Sequence, residues 1–214
     1  MTQINHNEIK KAVIRSQHCQ RNFDLNKTIP QEDLDTIIYA ATNCPSKQNL
    51  SFYNLHVILD KDLIASIHEL STGVTANNAA TGEREIATTN SQTLANVLFV
   101  YERKTLDDIS EKAHDKWANA DDAELAVFER DVNTAVGISA GYVNFVASYM
   151  GYATGCCQCF QKDNIRDLLN LKNGPDLLMG IGYTDETRNR RIHATDPELL
   201  FPTRKKEEIN VSFR

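Results

Sequence analysis

The spacing of apolar and polar residues divides this chain into helical and extended stretches. Residues 7–18 carry Ile9, Ala12 and Val13 at helical spacing. In the segment TIPQEDLDTIIYAA, Leu34, Ile37, Ile38 and Ala41 fall on one stripe, which predicts an amphipathic helix. Pro30 stands near its N-terminus, and Glu32 and Asp33 occupy its first turn, where carboxylates suit the positive end of the helix dipole. This helix should stop before Pro45, because the residue ahead of a proline avoids the α region. FYNLHVIL, residues 52–59, reads as a strand, and a helix is expected over 61–70. Residues 71–85 read as a polar loop with two glycines. LANVLFVY, residues 94–101, is a near-continuous apolar run and predicts a strand buried on both faces.

Residues 102–130 are charged with helical tendency, and Trp117 and Phe128 stand out in that polar background. The longest helix signal covers about 126–150, where Val132, Val136, Ser139, Val143, Val146 and Met150 fall near one stripe. Gly137 and Gly141 lie beside it. Glycine inside a helix costs about 1 kcal/mol against alanine. Two of them therefore predict a close-packed neighbour, either a helix crossing in the core or a dimer seam. A short helix follows in DNIRDLLNL, then a strand over 176–184 and a terminal strand over EINVSF, 208–213. Helices dominate early, and long connections separate the strands, so the expected class is α+β.

Composition narrows the function classes. A chain of 214 residues, 41% hydrophobic and 24% charged, fits one soluble domain over 1–214. The net charge is −6, and no long basic run offers a track for phosphates, which argues against a nucleic-acid partner. The short clusters RNRR (188–191) and RKK (204–206) read as solvated surface. No apolar run approaches about 18 residues, so no membrane span is expected. The opening MTQINHNEIKK lacks the apolar core of a signal peptide, which points to the cytoplasm. Five cysteines, an odd number, should then stay mostly reduced.

Sharper motifs are missing. No Gly-x-Gly-x-x-Gly follows a strand, no Walker loop occurs, and no histidines are paired at i, i+4. GCCQCF, residues 155–160, holds Cys156, Cys157 and Cys159 without the Cys-x-x-Cys spacing or second Cys/His pair of a zinc site. Read as a strand, it turns Cys157 and Cys159 to one face and Cys156 to the other. Residues two apart on a strand sit about 6.5–7 Å apart at Cα, a poor disulfide geometry. His18 precedes Cys19 and His193 is distant, and nothing local supports a Cys–His nucleophile. These features describe an α+β domain without a mechanism.

Three separated stretches together resemble the FMN-dependent nitroreductase superfamily. QHCQRNFD, followed by IPQEDLDTIIYAATNCPSKQNLSFYNLHVI, is similar to the family's Arg-Arg-Ser-x-Arg-x-Phe opening, its amphipathic helix and its Ala-Pro-Ser-x-x-Asn-x-Gln-Pro-Trp loop and strand. MGYATGCCQCF resembles the Leu-Gly-Leu-Gly turn into an inner strand. LLMGIGYTDE with FPTRKKEEI resembles the late strand and closing Arg-x-Pro-x-x-Glu segment. The resemblance implies a mostly antiparallel central sheet flanked by helices, in an intertwined homodimer with C-terminal strand exchange. It also implies an enzyme: an FMN-dependent oxidoreductase in which NADH or NADPH reduces a small flat acceptor, a nitroaromatic or quinone, in a ping-pong cycle. The flavin carries the chemistry and the protein orients and tunes it. Two alternatives stay open, a specialised flavin enzyme (flavin breakdown, dehalogenation or dehydrogenation) and a flavin or thiol redox sensor without turnover.

Residue by residue, the resemblance implies that Arg21 lies by the pyrimidine or ribityl side of FMN. Gln17, His18 and Cys19 take the places of the family's Arg, a variable residue and Ser. The phosphate must then lean on Arg15, Arg21 or Arg204, the last of which matches the closing arginine. Pro45, Ser46, Lys47 and Asn49 match the loop that crosses to the partner's flavin, and Asn90 falls near a ring-contacting position. Gln158 and Cys159 match the inner strand whose backbone N–H groups approach the ring. Trp117 and Phe128 fall in the 102–130 insertion that covers the active site, where they would either stack on a flat substrate or make a buried hydrophobic contact.

Overall fold

The computed structural model of the protein describes residues 5–87, 89–109 and 121–214. Among these, five α-helices occur: α1 (His6–Ser16), α2 (Gln31–Thr42), α3 (Lys61–Glu69), α4 (Asp122–Tyr149) and α5 (Lys162–Leu168). The strands are β1 (Tyr53–Ile58), β2 (Thr75–Asn78), β3 (Arg84–Ile86), β4 (Val97–Arg103), β5 (Ala153–Cys157), β6 (Pro175–Gly182) and β7 (Leu199–Leu200). The main sheet has the order β1-β4-β6-β5, and every neighbouring pair is antiparallel. A small antiparallel sheet, β3-β2-β7, stands apart from it. The expected α+β class with an antiparallel sheet is the class observed.

The apolar run of β4 is continuous because both its faces are covered. Val97, Phe99 and Tyr101 pack with Leu34, Ile37 and Ala41 of α2 and with Val136, Ala140, Val143 and Ala147 of α4. Leu98 and Val100 point the other way, against Ile64 and Ile67 of α3 and Ile165 of α5. β6 divides likewise, with Leu177, Met179 and Ile181 on the first face and Leu178 on the second. The sheet is thus the middle of three layers, and each fully buried aliphatic side chain contributes about 1.5–3 kcal/mol.

Local signals set the ends of α4. Asp121 and Glu124 form a reciprocal capping box, with Glu124 N–H donating to Asp121 Oδ1 at 2.9 Å and Asp121 N–H to Glu124 Oε2 at 3.2 Å. This cap starts the helix a turn earlier than the position of about 126 expected from sequence. At the other end Gly151 takes φ +95°, Tyr152 N–H reaches Ala147 O at 2.8 Å, and Gly151 N–H reaches Ser148 O at 3.3 Å. That left-handed stop turns the chain into β5. Among the described residues no helix is long and apolar enough to cross a membrane.

Two expectations about extended structure change. The polar segment 71–85 contains β2 and β3, joined through Gly82 at φ +73°, so its polar residues edge a hairpin rather than an irregular loop. Residues 202–214 have no regular structure, and Ile209, Val211 and Phe213 are 79%, 75% and 96% exposed. A strand needs a neighbour for its backbone groups, and this chain offers none there.

Candidate active site

A cleft of about 540 Å³ opens where five segments meet: the end of α1 with the chain just beyond it, the start of β2, the 90–92 turn, the residues after β5, and the stretch 190–204. Its lining includes Gln17, His18, Cys19, Arg21, Asn90, Cys159 and Arg204. Arg190, Arg191 and Phe201 complete it, with Gln92 and Thr75. Four arginines and a histidine face this space and, among the described residues, no carboxylate does, in a chain of net charge −6. The volume falls in the range of about 300–1,000 Å³ typical of small-molecule sites.

Arg21 is the most constrained of these cations. Its guanidinium carbon lies 4.5 Å from the centroid of the Phe201 ring. One terminal nitrogen donates to the Cys19 carbonyl at 3.5 Å, and its buried Nε has no hydrogen-bond partner. Burial pushes the Arg21 pKa down, Cys19 opposes this, and the charge of Arg190 adds to it. A half-buried cation with an unsatisfied donor is costly until an anion completes its shell. The donor set therefore fits a phosphate or another anionic group.

The wall behind the cleft depends on two facing glycines, Gly155 of β5 and Gly180 of β6. A Cβ on Gly155 would lie 2.6 Å from Gln20 O, and one on Gly180 would lie 2.3 Å from Gln92 O. Bare backbone lets both cleft-lining segments lie against the sheet. Gln20 N–H also donates to Thr154 O at 2.7 Å, so the 17–21 segment covers the edge of β5. The 89–93 turn rests on a buried histidine. Thr93 Oγ1 donates to Asn90 O, so it accepts from His68 Nδ1–H at 3.0 Å, while Thr89 Oγ1 donates to His68 Nε2 at 2.9 Å. Burial lowers the His68 pKa, which holds the ring neutral in this tautomer. Asn90 caps the turn through Oδ1 and donates Nδ2 to Cys157 Sγ at 3.2 Å.

Residues 14–183 match the nitroreductase family. The chain belongs to that family. Solved structures share its fold at low sequence identity. A nitroreductase family protein from Streptococcus pneumoniae TIGR4 superposes with TM-score 0.62 at 18% identity, covering 86% of this chain and 93% of that one. A protein described as a nitroreductase in complex with FMN, from Exiguobacterium sibiricum 255-15, gives TM-score 0.61 at 18% identity over 88% and 92%. A protein described as an NAD(P)H:FMN oxidoreductase, from Staphylococcus epidermidis ATCC 12228, gives 0.62 at 18% over 88% and 92%. No curated protein is similar enough in sequence to match.

The 45–49 loop lies in a different place from the arginine cleft. Ser46 and Asn49 line a second groove of about 340 Å³ with Cys44, Tyr53 and Ala135. Lys47 Nζ donates to Asp131 of α4, Ser46 Oγ donates to Leu50 O at 2.7 Å, and Pro45 is exposed. Gln48 and Asn49 take φ of 56° and 57°. Two consecutive non-glycine residues in the left-handed region store strain of order 1 kcal/mol each or more, as loops that present functional groups often do. Within one chain this loop and the cleft do not meet.

Other positions differ from their sequence expectations. Gln158 lies beyond the end of β5, exposed, and donates to Asp176 O at 3.3 Å instead of lining the cleft. Arg15 donates to Ser148 O at 2.7 Å, so it is committed to the end of α4. Phe128 belongs to α4 rather than to a covering insertion; it is buried with Phe52, Val132 and Ala135, its ring 6.0 Å from that of Phe52. A buried ring in a core contact is not presented for stacking. Trp117 lies outside the described residues. Arg190 and Arg191 of the RNRR cluster, read from sequence as solvated surface, line the cleft. Three arginines within four residues of an acidic chain were the available signal.

Proposed function

We propose that this chain is an FMN-dependent NAD(P)H oxidoreductase that reduces a small flat acceptor, a nitroaromatic or quinone, in a ping-pong cycle. The observation carrying the reading is the convergence of Gln17, His18, Cys19, Arg21, Asn90, Cys159 and Arg204 on one carboxylate-free cleft. Family membership supports it, as do the relatives described with FMN and as an NAD(P)H:FMN oxidoreductase. Arg204, whose fork suits bidentate pairing, would hold the flavin phosphate. Arg21 sets a cation beside the pyrimidine side of the ring, where its free Nε gains an acceptor. Cys159 contributes main chain at the ring edge, and Asn90 contributes the capped turn beneath it. FMN, when bound, supplies electron transfer between nicotinamide and acceptor.

The working form is a homodimer in which each copy lends its 45–49 loop to the other's cleft. Three features support this. Gly137, Ile138, Gly141, Tyr142 and Phe145 form an open apolar face on α4, and nothing lies within 4 Å of where a Cβ would stand on either glycine. Among the described residues, the outer edge of β1 has no strand beside it. The terminal segment carries exposed apolar residues at alternate positions, suited to pairing with a partner's sheet edge. Deleting 207–214 should raise the dimer dissociation constant in sedimentation equilibrium, and an unchanged constant refutes the exchange. The whole chain acts as one domain, and its five free thiols suit the reducing cytoplasm.

A visible spectrum of the purified protein, FMN titration, and stopped-flow reduction by NADH and NADPH test the reading. Arg21→Ala should weaken FMN binding about 10–150-fold, the equivalent of one charge-assisted hydrogen bond of about 1.5–3 kcal/mol. No flavin in the pure protein and no binding of added FMN would sink the proposal. Bound flavin that neither nicotinamide reduces would move it to a specialised reaction.

A further inference from the structure

The cleft carries more positive charge than one flavin phosphate neutralises, and the surplus sits on a held loop. A phosphomonoester bears about −1.5 to −2 charges at pH 7, which two arginines match. Arg204 is assigned above to the flavin phosphate and Arg21 to the ring; even with both counted against that one phosphate, Arg190 and Arg191 remain, with no carboxylate in the described lining to balance them. The loop is fixed from beneath. Asn22, 1% exposed, donates Nδ2 to the carbonyls of Asn189 and Ile192, each at 2.9 Å. Arg191 N–H donates to Asn189 Oδ1 at 3.0 Å and Arg191 Nε to Phe201 O at 3.0 Å, while Phe201 N–H returns to Arg191 O at 2.7 Å. Arg190 rises from this base, exposed at the rim. Cations gathered without counter-ions repel one another, and a multiply charged anion removes that repulsion. A loop already ordered has little entropy left to lose on binding.

We propose that Arg190, backed by Arg191, reads the 2′-phosphate of NADPH, making NADPH rather than NADH the electron donor. This rests on the oxidoreductase reading above. A dinucleotide whose nicotinamide enters the cleft must lead its adenosine end out across the rim. There NADPH and NADH differ by one phosphate. An acidic residue suits the ribose 2′-hydroxyl of NADH, whereas arginine suits the 2′-phosphate. This cleft offers arginines and no carboxylate.

The test is calorimetric titration of the purified full-length protein with NADP⁺ and with NAD⁺, with flavin content recorded by absorbance. NADP⁺ should bind at least about tenfold more tightly, and rising salt should erode the difference. Arg190→Ala should bring the ratio of the two affinities close to one, and Arg190→Glu should invert it; the residue is exposed, so both variants should fold. Equal affinities in the wild-type protein, or a ratio that Arg190→Ala leaves unchanged, overturn the proposal. A colourless protein that takes no FMN yet prefers NADP⁺ refutes the flavin reading and keeps the phosphate reading. A yellow protein with equal affinities does the reverse.

Discussion

Gly180→Ala tests how the sheet shapes the cleft. A Cβ at this position would lie 2.3 Å from Gln92 O and 2.9 Å from Ala95 Cβ. An ordinary C···O separation is about 3.3 Å, so the 90–95 segment must retreat by roughly 1 Å. That segment is pinned by Asn90 N–H donating to Ser71 Oγ at 2.7 Å and by the Thr93–His68 contact at 3.0 Å. Ser91, Gln92 and Thr93 are all buried, so there is little room to yield. Overpacking of this kind costs about 1–3 kcal/mol. At about 2–4 °C per kcal/mol for a chain of this size, the variant should melt about 2–12 °C lower. Asn90 and Gln92 line the cleft, so the same variant should bind FMN more weakly. Thermal and urea denaturation with FMN titration measure both effects. A Gly180→Ala protein within about 0.5 kcal/mol of wild type, with unchanged FMN affinity, would refute the close approach.

Other predictions use the same structure. Burial lowers the folded-state pKa of His68 below its ordinary 6.5, so the stability from its neutral form is present above about pH 6.5 and lost as pH falls. One proton limits the slope to about 1.4 kcal/mol per pH unit, and His68→Gln should flatten it in urea melts at fixed ionic strength; a wild-type slope equal to the variant's counts against the assignment. Gly137→Ala with Gly141→Ala should gain up to about 1 kcal/mol each in helix propensity yet raise the dimer dissociation constant. An unchanged constant would place the seam elsewhere. Burial pushes the thiols of Cys156 and Cys157 up to about 11 and about 12, so both should resist alkylation at neutral pH while exposed Cys159 reacts. FMN should slow alkylation of Cys159; equal rates with and without FMN would remove it from the flavin site.

The elements were largely legible because their signals are local. The stripe Leu34, Ile37, Ala41 lies on α2, buried as its period requires. The unbroken run in β4 meant two covered faces, and two are covered. Gly151, next to the end of α4, is the left-handed stop that a turn into a strand needs. The 75–86 hairpin was not legible, because its residues lack the apolar alternation of a half-buried strand: β3 is exposed throughout. The RNRR cluster is largely exposed, as read, but its place over the cleft was not legible for a related reason. A cluster of arginines looks the same on a solvated surface as over a cleft, and Asn22, 167 and 170 positions away from its two acceptors, helps to hold this one at the rim together with the Arg191–Phe201 hydrogen bonds.

The sequence by itself determined the layers of this fold, since helical and extended periods arise between residues a few positions apart, and together with family motifs it named seven residues of the cleft. Tertiary structure alone decided what each of those residues faces. It set Arg21 against Phe201, 4.5 Å away across 180 positions, turned Arg15 to the end of α4, buried Phe128 beside Phe52, and kept the 45–49 loop out of its own chain's cleft. Burial, charge and hydrogen-bond supply at a side chain depend on neighbours the chain brings together only by folding, and no local period records them.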